Sequence, residues 1–179
     1  MIYDSKTAET HALLDIANKM CVAARTAPKA RGHDHIHTCV ITGDDLMRIA
    51  DEMDRIGEQH GVSALFSRDA QNVRVSTALV MIGSVYAQRG VKFCGYCGFV
   101  NCAECAKNEG ICVYDNIDLG IALGSAAAIA ADNRADNRIL YTAGRAALSL
   151  GLMDESVRIA IGIPICALGK SPYFDRRVK

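Results

Sequence analysis

The segment 115-DNIDLGIALGSAAAIAAD-132 predicts a long helix at the centre of the protein. Residues 119–131 within it form an apolar run of Gly, Ala, Leu and Ile with one Ser. This run of 13 residues is shorter than the ~20 that cross a bilayer, so it indicates a buried helix. Because Gly120, Gly124 and Ser125 are small, the helix offers a smooth face on which another backbone can pack closely.

Outside this helix, apolar residues recur at the three- and four-residue spacing of helices or in the short runs typical of strands. The two kinds of segment alternate, which indicates a sheet covered by helices on both faces. The predicted fold class is α+β with an α/β-like order of elements, and Pro164 is expected to end the last strand. Helices are predicted over 7–26, 44–60, 68–75 and 143–150, and strands over 35–42, 77–86, 138–142 and 157–163.

The composition predicts one compact domain spanning 1–179, since 50% of the 179 residues are hydrophobic and 22% are charged. A formal net charge of +0 and an aromatic content of 6% argue against a nucleic-acid-binding protein. The sequence shows neither a secretory signal nor a membrane-spanning segment. We therefore expect a cytoplasmic protein with reduced thiols.

Five of the eight cysteines lie between Cys94 and Cys112, in the spacing C-x2-C-x4-C-x2-C-x6-C. A domain of this size needs no disulfides or structural metal for its core. In a reducing compartment, such clustered cysteines indicate metal ligands more than disulfides or scattered buried thiols. We therefore interpret residues 90–113 as a cysteine-rich, cluster-binding insertion in the domain.

Three ligand sets compete within this segment. A zinc site would use Cys94, Cys97, Cys102 and Cys105, but two-knuckle zinc sites usually separate their pairs by roughly 15 to 20 residues. A plant-type [2Fe–2S] site would use Cys97, Cys102 and Cys105 with a remote fourth cysteine. A [4Fe–4S] site would use Cys94, Cys97, Cys102 and Cys112, and this is the preferred set.

The preferred set resembles a compact [4Fe–4S] module, C-G-x-C-G-x-x-x-C followed by a distant fourth cysteine, found in electron-transport proteins of anaerobes. Gly95 and Gly98 occupy the glycine positions of this module. They permit the backbone angles and the close approach by which amide N–H groups donate to cluster sulfur. A short final interval to Cys112 and the additional Cys105 depart from the module.

With the cluster motif, six further stretches resemble the family of ferredoxin domain-containing proteins. The family name reflects the cysteine motif and implies no particular reaction. The stretches are AARTAPK at 23–29, RDA at 68–70, IDLGIALGS at 117–125, DNR at 136–138, GIP at 162–164 and GKSPYFDR at 169–176.

The order of elements is also distantly similar to the FMN-dependent nitroreductases, in which an A-A-x-x-A-P-S segment closes the first helix. This resemblance implies a nitroreductase-like fold and a homodimer with FMN at its interface. Two departures count against flavin: the phosphate-binding R-x-S-x-R element has no counterpart, and Lys29 replaces the Ser. If FMN binds, the basic residues able to meet its phosphate are Arg25, Lys29, Arg31, Lys170 and Arg176.

Two hypotheses of function follow. The first is a redox protein that binds a [4Fe–4S] cluster and passes single electrons to an unknown partner or to a flavin, so that the protein could be an oxidoreductase. The second is a non-catalytic module in which zinc or a cluster orders a surface for protein interaction. His33, His35 and His37 alternate along the predicted first strand and form a minor candidate for a separate metal site.

Overall fold

The computed structural model describes residues 2–175. No helix in this range is long and apolar enough to cross a membrane. The regular elements are α1 (Ser5–Thr26), a 3-10 turn (Ala30–Gly32), β1 (Ile36–Ile41), α2 (Asp44–Gln59), α3 (Ser63–Arg74), β2 (Ala78–Ser84), α4 (Cys102–Lys107), α5 (Val113–Asp132), β3 (Asp136–Asn137), α6 (Tyr141–Ser149) and β4 (Ile159–Cys166).

The four strands form one antiparallel sheet in the order β1-β2-β4-β3. The continuous apolar sequence of β2 suits its central place, because every one of its residues is buried. Along β2, Val80 and Ile82 face the core that α1 and α5 cover, whereas Leu79 and Met81 face the core of α2, α3 and α6. The prediction of an α+β fold with helices on both faces of a sheet is confirmed.

The helix α5 packs on α1 and the sheet through a face that includes Leu119, Ala122 and Ala126. Its glycines point the other way: a Cβ atom added at Gly120 or Gly124 would meet nothing within 4 Å. The close helix contact predicted at these glycines is therefore not made within residues 2–175. The helix is central as predicted, but its small-residue face is open.

The closest backbone approach at a helical glycine occurs instead where α6 crosses β4. A Cβ atom added at Gly144 would lie 1.7 Å from the carbonyl oxygen of Ala160. The sequence predicts a helix over 143–150 but does not indicate this contact, which depends on a distant strand. Gly144 is required here for its lack of a side chain rather than for an unusual φ.

Three predicted boundaries are wrong. The segment 138–142 is not a strand, because β3 covers only Asp136–Asn137 and α6 already begins at Tyr141. The helix predicted from 68 begins five residues earlier, at Ser63. Pro164 does not end β4, which continues to Cys166.

The register explains how Pro164 is tolerated within β4. Gly162 exchanges both of its backbone hydrogen bonds with Leu140, on the side of β4 away from β2. Pro164, two residues later, turns its nitrogen to the same side. The missing N–H therefore removes no hydrogen bond between β4 and β2.

Candidate cofactor site

The cysteine segment leaves the sheet after β2 and returns at α5. Asn101 fixes its short helix α4, because Asn101 Oδ1 accepts a hydrogen bond from the Glu104 backbone N–H at 2.9 Å. In return, Glu104 Oε2 accepts from the Val100 N–H at 2.9 Å. These bonds hold Cys102 as the first residue of α4, and Cys112 directly precedes the first residue of α5.

Four of the five clustered cysteines line one cavity of about 350 Å³. They are Cys94, Cys97, Cys102 and Cys112, the set preferred from the sequence. Cys105 is not part of the cavity wall: its side chain is buried, and the Gln88 amide lies 3.8 Å from its sulfur. Burial raises the pKa of the Cys105 thiol, which favours its neutral form.

The loop that carries Cys94 and Cys97 has left-handed backbone angles at its two glycines, as the sequence predicts. Gly95 has a φ of 62° and Gly98 a φ of 86°, values that favour glycine. The Gly98 N–H donates to the Gly95 carbonyl at 3.0 Å, which closes a tight turn across Cys97. Successive N–H groups in such turns can point toward a bound anionic group.

Large apolar side chains project from the cysteine segment into solvent. Phe93, Tyr96 and Val100 are all strongly exposed, and Phe93 and Val100 also contribute to the cavity wall. Exposed apolar groups clustered in this way commonly mark a contact surface. The cavity is thus flanked by exposed apolar side chains.

A buried group of charges that the sequence-based predictions did not include lies beside the cavity. Arg89 is 1% exposed and lines the cavity, and it forms ion pairs with two fully buried carboxylates of α5. Arg89 Nη1 is 2.8 Å from Asp115 Oδ1, and Arg89 Nε is 3.3 Å from Asp118 Oδ2. The sequence feature that could have indicated this group is the pair Asp115 and Asp118 at the start of an apolar helix. Because they are three residues apart, both lie on one face of the helix.

His35 completes this group. Its Nδ1 lies 2.5 Å from Arg89 Nη1, and burial together with the Arg89 charge lowers the pKa of the imidazole. Burial raises the pKa of Asp115 despite the opposing effect of Arg89. Arg89 Nη2 is buried and has no hydrogen-bond partner among the described residues.

Three of the predicted phosphate-binding residues lie near the end of α1, and each already has protein partners. Arg25 Nη1 donates to Asp34 Oδ2 at 2.5 Å and to the Ile36 carbonyl at 2.7 Å. The Lys29 ammonium donates to the carbonyls of Ala24 at 2.9 Å and Ala27 at 2.8 Å, and also to that of Arg25, so it caps the C-terminus of α1. Burial lowers its pKa.

The third residue, Arg31, donates from Nη1 to the backbone carbonyls of Arg89 at 3.0 Å and Gly90 at 3.2 Å. It thereby ties the 3-10 turn to the start of the cysteine segment. Lys170 lies in the C-terminal segment, exposed, and pairs with Asp175 at 2.8 Å. Arg176 lies outside the described residues.

In the described part of the chain, His33, His35 and His37 do not come together as metal ligands. His33 and His35 have ring centroids 6.4 Å apart, and His35 is directed to Arg89. Within residues 2–175, no group of three His, Cys, Asp or Glu side chains is arranged to hold a single metal ion. This result covers the clustered cysteines as well, four of which line one cavity.

The fold is that of the nitroreductase-like flavoproteins. Nitroreductase CinD from Lactococcus lactis superposes with a TM-score of 0.63 over 99% of this chain and 85% of that chain, at 12% identity. A nitroreductase with bound FMN from Desulfitobacterium hafniense gives 0.56 over 95% and 81%, at 13% identity. A BluB-like flavoprotein from Clostridium difficile gives 0.56 over 87% and 83%, at 16% identity.

Sequence similarity identifies the family. An uncharacterized protein of Archaeoglobus fulgidus is 38% identical over 187 aligned positions that cover all of both chains. Residues 108–176 match the profile described as "uncharacterized protein containing a ferredoxin domain (DUF2148)". The chain belongs to this family, which confirms the resemblance in its sequence. The matched range includes Cys112 and α5 but not Cys94, Cys97 or Cys102.

Proposed function

We propose that this protein is an electron-transfer protein that binds a [4Fe–4S] cluster through Cys94, Cys97, Cys102 and Cys112. The ferredoxin-domain family and the nitroreductase-like fold both support a redox role. The observation that carries the assignment is the shared cavity, which these four cysteines line and Cys105 does not. Residues 90–113 form the insertion that adds this site to the fold.

The residues around the cavity suit a cluster. Thiolate is the usual ligand of iron in such clusters, and the four thiols that line the space come from one loop, the start of α4 and the residue before α5. A cavity of about 350 Å³ has room for a group of several atoms. A zinc ion needs no such cavity, because it lies ~2.3 Å from each of its sulfur ligands. A bound cluster supplies reversible one-electron chemistry.

Anaerobic purification tests the cofactor. We expect a brown protein with about four irons per chain and a broad absorption band that dithionite bleaches. Iron, sulfide and zinc are measured on the same sample. A colourless protein with stoichiometric zinc would contradict the proposal and favour the alternative, a module whose cysteines order an interaction surface.

Serine substitutions test the ligand set. Cys94→Ser, Cys97→Ser, Cys102→Ser and Cys112→Ser should each abolish or strongly reduce cluster content after anaerobic reconstitution. Cys105→Ser is the matched control, because Cys105 belongs to the same segment but is buried and does not line the cavity, and it should keep the full iron content. Loss of iron in Cys105→Ser with retention in Cys112→Ser would refute the assignment.

The proposal includes a homodimer formed through the outer face of α5. This face carries Gly120 and Gly124 beside Ile117 and Ile121, which are 41% and 40% exposed. Smooth apolar surface of this kind permits close packing with a second copy. Light scattering at micromolar concentration should give twice the 19.2 kDa chain mass. A single monomeric species would contradict the dimer.

FMN is proposed as a second cofactor, since a nitroreductase of the same fold binds it. Arg25 and Arg31 near α1, and Lys170 and Arg176 in the C-terminal segment, are its candidate phosphate partners. Lys29 is the least available of the candidates, because its ammonium already donates to three carbonyls. Titration with FMN followed by gel filtration should leave bound flavin, and complete loss of flavin would contradict this part of the proposal.

The location of the protein in the cytoplasm stays a prediction.

A further inference from the structure

We propose that the protein has a second binding site, for a small carboxylate with an apolar body, in a cavity between α6 and the first residues of β4. The cavity has a volume of about 230 Å³ and shares no described lining residue with the cysteine cavity. Its walls are formed by Tyr86, Tyr141, Arg145, Leu148, Arg158 and the strand residues 159–161.

The cavity exists because β4 loses its outer partner strand at this point. Leu140 and Gly162 exchange both of their backbone hydrogen bonds on the side of β4 away from β2. Ala160 is the next residue toward the start of β4 that faces this side, since the backbone groups of alternate strand residues point the same way. Its strand partner would be Thr142, but α6 already begins at Tyr141. The edge of β4 is therefore open at Ala160.

The backbone of Ala160 presents a hydrogen-bond donor at this open edge. Its carbonyl oxygen packs against Gly144 of α6, where an added Cβ atom would lie 1.7 Å away. Its N–H forms no hydrogen bond with another described residue, although Ala160 is only 5% exposed. Buried N–H groups in native proteins are normally satisfied by the protein, by water or by a ligand. Because Ala160 lines the cavity, an acceptor bound there can use this donor.

The cavity also carries positive charge without a matching negative charge. Arg145 and Arg158 both line it, and no acidic side chain in the described chain does. Neither guanidinium forms an ion pair within residues 2–175, whereas Arg48, Arg55 and Arg74 each pair with a carboxylate. Guanidinium groups bind carboxylates through charge-assisted and often bidentate hydrogen bonds. The charge and the free N–H therefore favour an anion.

The remaining walls are aromatic or aliphatic. The Tyr141 ring packs edge-on against Phe66, with ring centroids 6.0 Å apart, and this contact holds it beside the cavity. Tyr86 and Leu148 add further apolar surface. Apolar walls with a few polar groups are typical of small-molecule sites. A carboxylate on an apolar body matches both parts of the cavity, whereas an inorganic anion would leave the apolar walls uncovered.

A nuclear magnetic resonance titration of the anaerobically purified, isotope-labelled protein tests the site. The probe is phenylacetate, added at constant ionic strength, and the readout is the assigned Ala160 amide resonance. We expect a saturable downfield shift of the amide proton, because the N–H gains an acceptor. The absence of a saturable shift up to ~10 mM probe, or saturable shifts at other residues only, would overturn the proposal.

Two further probes test the class of ligand. Phenylacetamide has nearly the same shape as phenylacetate but no charge, so it should bind about tenfold more weakly or worse. Inorganic phosphate has the charge but no apolar body and should also bind about tenfold more weakly or worse. An affinity for either probe equal to that for phenylacetate would refute the assignment to a carboxylate with an apolar body.

Glutamine variants test the positive charge. Arg145→Gln and Arg158→Gln should each weaken phenylacetate binding about tenfold, and both residues are exposed, so the fold should be retained. Arg48→Gln is the matched control, because it removes one charge from an exposed helix position outside the cavity. It should change the affinity by less than about twofold.

Equal weakening in all three variants would reveal a general charge effect and would overturn the proposed site. The result does not depend on the cysteine cavity, because the two cavities share no described lining residue. Protein without iron that still binds phenylacetate at Ala160 would refute the proposed function and support this inference.

Discussion

Replacing Gly144 by alanine should destabilise the protein through a single methyl group. The added Cβ atom would lie 1.7 Å from the Ala160 carbonyl oxygen, whereas ordinary contact begins at 3.4 Å. The helix α6 and β4 must therefore separate locally by about 1.7 Å, the difference between these two distances. Because backbone atoms are involved on both sides, a rotamer change cannot relieve the clash.

The expected cost combines two opposing effects. Overpacking of a well-packed site costs about 3 kcal/mol at the upper end of its usual range. Alanine in place of glycine within a helix returns about 1 kcal/mol. The net loss of about 2 kcal/mol corresponds to a fall in Tm of about 4 to 8 °C for a chain of this size.

Gly124→Ala is the matched control, because it adds the same methyl group in a helix where nothing lies within 4 Å. In the monomeric chain it should raise Tm by about 2 to 4 °C from helix propensity, whereas in a dimer packed through this face the added methyl group would oppose that gain. Thermal unfolding followed by circular dichroism at several protein concentrations measures both variants. If Gly144→Ala were as stable as Gly124→Ala, the placement of α6 on β4 would be wrong. A concentration-dependent loss confined to Gly124→Ala would instead report a contact between copies.

Further predictions concern charge and assembly. Burial raises the pKa of Asp115, so the folded state binds this proton more tightly than the unfolded state, and the group's contribution to stability falls as pH rises above its ordinary pKa. Asp115→Asn should therefore flatten the fall in the wild-type Tm profile that begins as pH rises above about 4. Glu52 has the opposite pH dependence, because hydrogen bonding to Arg55 lowers its pKa to about 2. The stabilisation by Glu52 is therefore lost as pH falls from 4.5 to about 2. Glu52→Gln should not show this loss when its Tm is measured over the same pH range. Gly124→Leu should convert the dimer to monomer in light scattering while leaving the folded chain intact, and an unchanged dimer would exclude this face of α5.

The sequence predicts what depends on local periodicity. The helix α2 was expected over 44–60 and spans Asp44–Gln59, because its apolar residues recur at helical spacing on one face. The five clustered cysteines were also recognisable from spacing alone. The use of Cys112 rather than Cys105 stays a prediction, which the lining of the cavity supports.

The features that the sequence could not predict depend on contacts between distant segments. Pro164 is compatible with β4 only because of the side to which its nitrogen turns, which the pairing with Leu140 determines. Gly144 is needed because α6 crosses β4 at that point. Arg89 and Asp118 are 29 residues apart, and no local pattern indicates that they meet in the interior.

The buried charges also explain how a long irregular loop can carry a cofactor without loosening the fold. Asp115 Oδ2 accepts from the Ala87 N–H at 3.1 Å, and Asp118 Oδ1 accepts from the Ala30 N–H at 3.1 Å. The same two carboxylates pair with Arg89. They therefore fix α5, the 3-10 turn and the loop that follows β2 to one another. The cysteine segment, residues 90–113, begins immediately after Arg89 and ends two residues before Asp115. Both of its ends are therefore anchored in the core, and the residues between them are free to follow the geometry of a bound group.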